Sequence, residues 1–112
     1  MSTLRASVSA GESGPVITLS GEADITTAAE LGELITVQLA EETQQLTVDV
    51  AGLDFADTAA IRVLLVAARR LRQRGGDLVL LRPQRALARV LEILGAEEAI
   101  TIRGGTEPEP EP

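Results

Sequence analysis

The chain of 112 residues has no cysteine, no histidine and no lysine, and Phe55 is its only aromatic residue. Without cysteine and histidine there are no disulfides, thiolate nucleophiles, imidazole bases or usual zinc ligands. The shortage of aromatics argues against nucleic-acid recognition by base stacking. The glycines fit neither a phosphate-cradling loop ending in Gly-Lys-Ser/Thr nor a dinucleotide fingerprint. No apolar run approaches membrane-spanning length, and no basic N-terminal region precedes an apolar stretch. These absences read as a cytoplasmic protein without a cofactor.

What is present is aliphatic and acidic. Hydrophobic residues make up 45%, enough for one packed core in a chain of single-domain length. The core must be built from Leu, Ile, Val and Ala. The formal charge is −7, and all 10 cations are arginines, scattered among acids and not gathered into a stripe. Such a chain repels phosphate backbones and anionic lipid, so neither nucleic acid nor membrane is expected as a partner.

Leu4 to Ala10 alternates apolar and polar residues, the period of a half-buried strand. Gly11-Glu12-Ser13-Gly14 is turn chemistry, and Val16 to Leu19 completes an antiparallel hairpin. Thr27-Ala28-Ala29-Glu30 has capping-box spacing and opens a helix whose apolar face carries Leu31, Leu34, Ile35 and Leu39. Leu46 to Val50 is a β-branched strand. Asp57 is the expected N-cap of a helix running to about Arg74, closed by Gly75-Gly76. Leu78 to Leu81 suits a strand covered on both faces. Pro83 marks the start of a third helix with Leu87, Val90, Leu91 and Leu94 as its buried stripe, and Ile100 to Ile102 is a short last strand. The fold class is α/β: a small mixed sheet made of an N-terminal hairpin and then β-α-β-α, with helices packed against it and parallel pairing through right-handed crossovers. The folded domain is expected over 1–103. Residues 104–112, Gly-Gly-Thr and then repeated Glu-Pro, read as an extended solvated tail.

Few residues carry chemistry. Asp54 and Asp57 flank Phe55-Ala56, with Asp24 able to approach through the fold, but carboxylates without a cation or metal ligand make a weak acid–base site. Val48 to Thr58 has the order of a nucleophile elbow but lacks its serine and any histidine base. The more informative feature is the second helix. Ile61, Leu64, Leu65, Ala68 and Leu71 form its core stripe, leaving a second line of Ala59, Arg62, Val63, Val66 and Arg70 at helical spacing. Either the third helix or a loop covers those valines, or they are the apolar centre of a docking patch with an arginine rim.

Gly21-Glu22-Ala23-Asp24-Ile25-Thr26-Thr27-Ala28 resembles the Gly-Glu-Leu-Asp…Thr-Ala signature of STAS domains. Leu46 to Ile61 resembles the strand, loop and Asp-Ser-Ser/Thr-Gly-Leu helix start of the same family, and Gly75 to Leu80 and Val90 to Gly95 its later strand and helix. The resemblance covers residues 3 to 103. It implies an anti-sigma factor antagonist, a non-enzymatic protein that binds an anti-sigma factor which is also a serine/threonine kinase and so frees a sigma factor, as a monomer or weak homodimer. It further implies phosphorylation at the helix start, reversed by a phosphatase. The second line of the helix, lying next to that motif, gives a candidate partner surface of Asp24, Asp57, Thr58, Ala59, Arg62, Val63 and Val66. The chain departs from the pattern at the switch itself. Ala59 stands at the second hydroxyl position, the usual phosphoacceptor, leaving Thr58 as the candidate phosphorylation site, and Ala60 replaces the customary glycine. Thr58 reads equally as a first-turn helix residue beside its cap. The alternative within the family is an accessory subunit of a transporter or a stress-signalling complex.

Overall fold

In a computed structural model, residues 3–39 and 43–104 are described. The elements run β1 (Leu4–Gly11), β2 (Gly14–Ala23), α1 (Ala28–Gln38), β3 (Gln45–Ala56), α2 (Thr58–Gln73), β4 (Asp77–Leu81), α3 (Arg85–Ile93), a single 3₁₀ turn (Ala96–Glu98) and β5 (Thr101–Arg103). The five strands lie side by side in chain order. β1 and β2 are antiparallel, and every later neighbour is parallel. The chain therefore advances one strand at a time through helical crossovers. Because such crossovers are right-handed, all three helices fall on one face of the sheet. The burial of β3 follows from this: Leu46, Val48 and Val50 are buried beneath the helices, while Thr47 and Asp49 between them stay partly exposed.

The core is a single aliphatic layer. Ile17, Leu19, Val48 and Leu80 from the sheet meet Leu31 and Ile35 of α1, Ile61, Leu64, Ala68 and Leu71 of α2, and Leu87 and Leu91 of α3. β4 was expected to be covered on both faces, but the helices lie on one only; Val79, on the other face, is buried yet lies outside that cluster, and Leu81 is half-buried. On the open face Arg82 pairs with Asp49, and the Thr101 hydroxyl bonds to Asp77 at 2.7 Å.

Several sequence expectations are corrected. The alternation in β1 has the right period, but seven of its eight residues are exposed. No crossover helix connects β1 to β2, so none lies above it. β2 and β3 run far past their apolar runs: Ser20 to Ala23 and Gly52 to Ala56 pair with each other through a register shift, so the family-like loop is mostly strand. Thr27 is the N-cap of α1 but makes no side-chain cap bond, and its hydroxyl serves the preceding loop instead. In α2, Ala60 and Ala67 join the buried stripe and Leu65 is only half-buried. In α3, Val90 borders an open depression with Leu53 and Phe55 and is 36% exposed, and Leu94, the C-cap residue, is 48% exposed. From the expected tail, residues 105–112 lie outside the described residues.

The end of α2 is a Schellman closure: Gly76 N–H reaches Leu71 O at 2.7 Å and Gly75 N–H reaches Arg72 O at 3.0 Å. Gly75 sits at φ +79° in open space. Gly21, at φ +93°, combines that backbone with contact, since an added Cβ would lie 2.1 Å from the Thr3 carbonyl oxygen. Gly75→Ala should therefore cost about 1 kcal/mol, the left-handed penalty alone. Gly21→Ala should cost clearly more, because the hairpin must also move. Urea unfolding of the two variants checks the order.

Candidate docking surface

The site is assembled where β2 and β3 both end. Asp57 is the N-cap of α2, and one of its carboxylate oxygens accepts from Ala60 N–H at 3.1 Å. The other accepts from Ile25 N–H at 3.0 Å, 32 residues earlier in the chain. The Asp57 N–H itself donates to Ala23 O at 3.0 Å. One residue thus satisfies a helix donor and pins the β2–α1 loop beside the start of α2.

Asp24 organises that loop from within. Its Oδ1 accepts from the Thr26 hydroxyl at 2.6 Å and from the Thr26 and Thr27 amides at 3.0 and 3.2 Å. Its own N–H donates to the Thr27 hydroxyl at 2.9 Å. The Thr26 hydroxyl, against partial desolvation and with help from the two amides and the Thr27 hydroxyl, holds the Asp24 carboxyl below its ordinary 3.8. A lowered carboxyl stabilises the folded state above the unfolded value. Asp24's contribution is therefore complete above pH 3.8 and is lost as pH falls through the lowered value. Ile25, between the two aspartate-held turns, projects its side chain outward and is 75% exposed.

From this corner a groove of about 380 Å³ runs between α1 and α2. Its α2 wall is Ala59, Arg62, Val63, Val66, Ala67 and Arg70; its α1 wall is Gly32, Ile35, Thr36 and Leu39. All five residues of the second line read from the sequence face it. The third helix does not cover that line: the helix beside it is α1, and Val63 is half-buried and packs on the core. Val66 is 50% exposed with α1 already in place. Thr58 is exposed in the first turn of α2, and Ala59 is half-buried beside it.

The carboxylates do not assemble into an acid–base pair. Asp57 has both oxygens occupied by backbone donors. Asp54 lines a different depression, with Thr3, Arg5, Ser20, Gly21 and Glu22. The α1 wall escaped the sequence reading, which treated α1 only as a core-facing helix. Gly32 and Thr36, one turn apart, were the available signal: a Cβ on Gly32 would lie 3.9 Å from Val63 Cγ1, so the small residue lets the two helices flank an open channel.

The family model described as "Mlab, STAS domain" matches residues 6–103. The chain belongs to the STAS family. Among its STAS relatives, the anti-sigma-F factor antagonist RsfA of Mycobacterium tuberculosis is 32% identical over 106 residues, covering 93% of this chain and 83% of the relative. An anti-sigma-B factor antagonist of Listeria monocytogenes is 32% identical over 78% of this chain and 76% of its own. In three dimensions this STAS domain is similar to the crystal structure of an anti-sigma factor antagonist from Mycobacterium paratuberculosis, with a TM-score of 0.80, 20% identity, and coverage of 88% of this chain and 84% of that one. The mixed five-stranded sheet with its three helices is thus a STAS fold.

Removing the Asp57 carboxylate should open the corner. Asp57→Ala is expected to cost about 1–2 kcal/mol, a capping bond plus a loop bond. The Ile25 and Ala60 amides should exchange faster with deuterium than those of the β4 core. Asp57→Asn, which keeps one acceptor, should fall between alanine and the parent protein in a thermal melt.

Proposed function

We propose that this STAS domain is a cytoplasmic anti-sigma factor antagonist. It docks on an anti-sigma factor of the serine/threonine-kinase type and so frees a sigma factor for transcription. The observation that carries this reading is Val66, an aliphatic side chain half exposed in a groove walled by Arg62 and Arg70, leading away from the corner that Asp57 fixes. An apolar centre with a guanidinium rim is the composition of a protein-docking patch. The two relatives at 32% identity, both named anti-sigma factor antagonists, support the same direction.

The surface comprises Asp24, Asp57, Thr58, Ala59, Arg62, Val63 and Val66. Asp24 and Asp57 act by holding the loop and the helix start in place. Arg62, Val63 and Val66 supply the contact, and Thr58 and Ala59 lie at its upstream edge. The domain works by binding and has no chemistry of its own. It carries no histidine, cysteine or lysine, and the Asp57 oxygens are already bonded to backbone donors, so Asp57 is not set up as a general base.

Control by phosphate is altered. Ala59 has no hydroxyl, so modification by the kinase falls on Thr58 or does not occur. A helix N-terminus tolerates a dianion, so a phosphate on Thr58 would leave the fold standing and act by repulsion and desolvation at the partner's surface. A phosphatase would reverse it.

Val66→Glu should weaken binding to the cognate anti-sigma factor at least tenfold, the equivalent of about 1.4 kcal/mol, while the melting temperature stays unchanged. An unfolded Val66→Glu would make the residue core and sink the patch. In the same assay, Ala59→Ser should gain a phosphate from the kinase, as mapped by mass spectrometry. Stable capture by a transporter or by sister STAS proteins, with no affinity for the anti-sigma factor, would favour the accessory-subunit reading instead.

A further inference from the structure

β1 is the last strand on its side of the sheet, and its outer edge has no strand partner among the described residues. Edge strands are usually guarded by lysine, proline, a bulge or shortness. β1 has none of these: it is eight residues long, carries Arg5 as its single charge, and pairs with β2 through eight consecutive partners without a register shift. Its core-side residues are also uncovered. Val8 lies directly opposite Ile17 and Ala6 opposite Leu19, both fully buried, so these β1 side chains point to the helix face. Yet Val8 is 42% exposed.

The sequence of this edge is a palindrome. Ala6-Ser7-Val8-Ser9-Ala10 reads the same in both directions about Val8. Two such strands laid antiparallel with Val8 facing Val8 of the second copy also set Ser7 against Ser9, Ala6 against Ala10, and Arg5 against Gly11. Every opposed pair is then small or matched, and no like charges meet. A two-fold axis through Val8 can sit on either kind of antiparallel pair, so the register closes whichever way the outer N–H groups alternate.

We infer that β1 pairs with β1 of a second copy of this chain, joining two sheets into one continuous ten-stranded sheet with Val8 on the two-fold axis. The occupant is a second copy because the edge is complementary to itself. A single strand pair buries far less than the roughly 1,600 Å² of a standard stable interface, so the dimer is weak and concentration-dependent. It leaves the α1/α2 groove open, and it does not depend on the proposed partner.

The absence of native cysteine makes the test direct. Sedimentation velocity of the full chain should show the average mass rising toward twice the monomer as concentration increases. Val8→Lys, which would place two ammonium groups face to face on the axis, should remain monomeric with an unchanged circular dichroism spectrum. Val8→Cys should form a disulfide-linked dimer on mild oxidation, since directly opposed Cβ atoms lie about 4.5–5.5 Å apart. Thr18→Cys, exposed one strand inward on the opposite face, should not. A wild-type protein that stays monomeric to its solubility limit overturns the inference. So does a dimer that Val8→Lys leaves intact, or cross-linking at Thr18 as efficient as at Val8.

Discussion

The two-sided carboxylate of Asp57 is the constraint from which the proposed docking face follows. β2 and β3 end together, and each must hand over to a helix without stranding backbone donors. Asp57 resolves both ends at once, capping α2 through Ala60 and holding the β2–α1 loop through Ile25. Its N–H tie to Ala23 locks that corner to the sheet. The relative position of α1 and α2, and so the groove between them, is set where both helices begin.

The shape of the groove follows from small residues on both walls. Gly32 on α1 and Ala59 and Ala67 on α2 keep the helices from filling the space between them. The core beneath is closed by Ile35, Ile61, Leu64 and Leu71, so the exposed upper valine is not required for packing. A chain with one aromatic residue cannot offer the tryptophan or tyrosine anchor usual in docking sites. Under the proposed function its Val66, between two arginines, takes that place. The same one-faced construction leaves β1 without a helix above it, so the hairpin that starts the fold also supplies its exposed edge.

Much of this was legible in the sequence where local chemistry decides the outcome. The Asp57 cap, the Gly75 closure and the second line on α2 all rest on spacing within one element, and each is found where the residues put it. What could not be read were properties that depend on a second element. The strand character of Ser20 to Ala23 and Gly52 to Ala56 comes from their pairing with each other, and neither stretch has an apolar period of its own. Thr27 had the spacing of a capping box, yet its hydroxyl went to Asp24 N–H because the loop needed an acceptor. Val90 and Leu94 were placed in the core by helical period, but Val90 borders an open depression beside Phe55 at the end of β3, and Leu94 is the C-cap where the helix stops. The bond from Asp57 to Ile25 spans 32 residues and has no signature in either segment taken alone.

The central claim is that this STAS domain meets its partner through the surface fixed by Asp57. The most direct measurement is amide hydrogen exchange on the full chain, free and bound to its cognate anti-sigma factor. Protection on binding should fall on the β2–α1 loop from Asp24 and on the first three turns of α2 from Thr58 to Val66, and should leave α3 and β1 unchanged. Protection confined to α3, to β5 or to the open polar face of the sheet would contradict it.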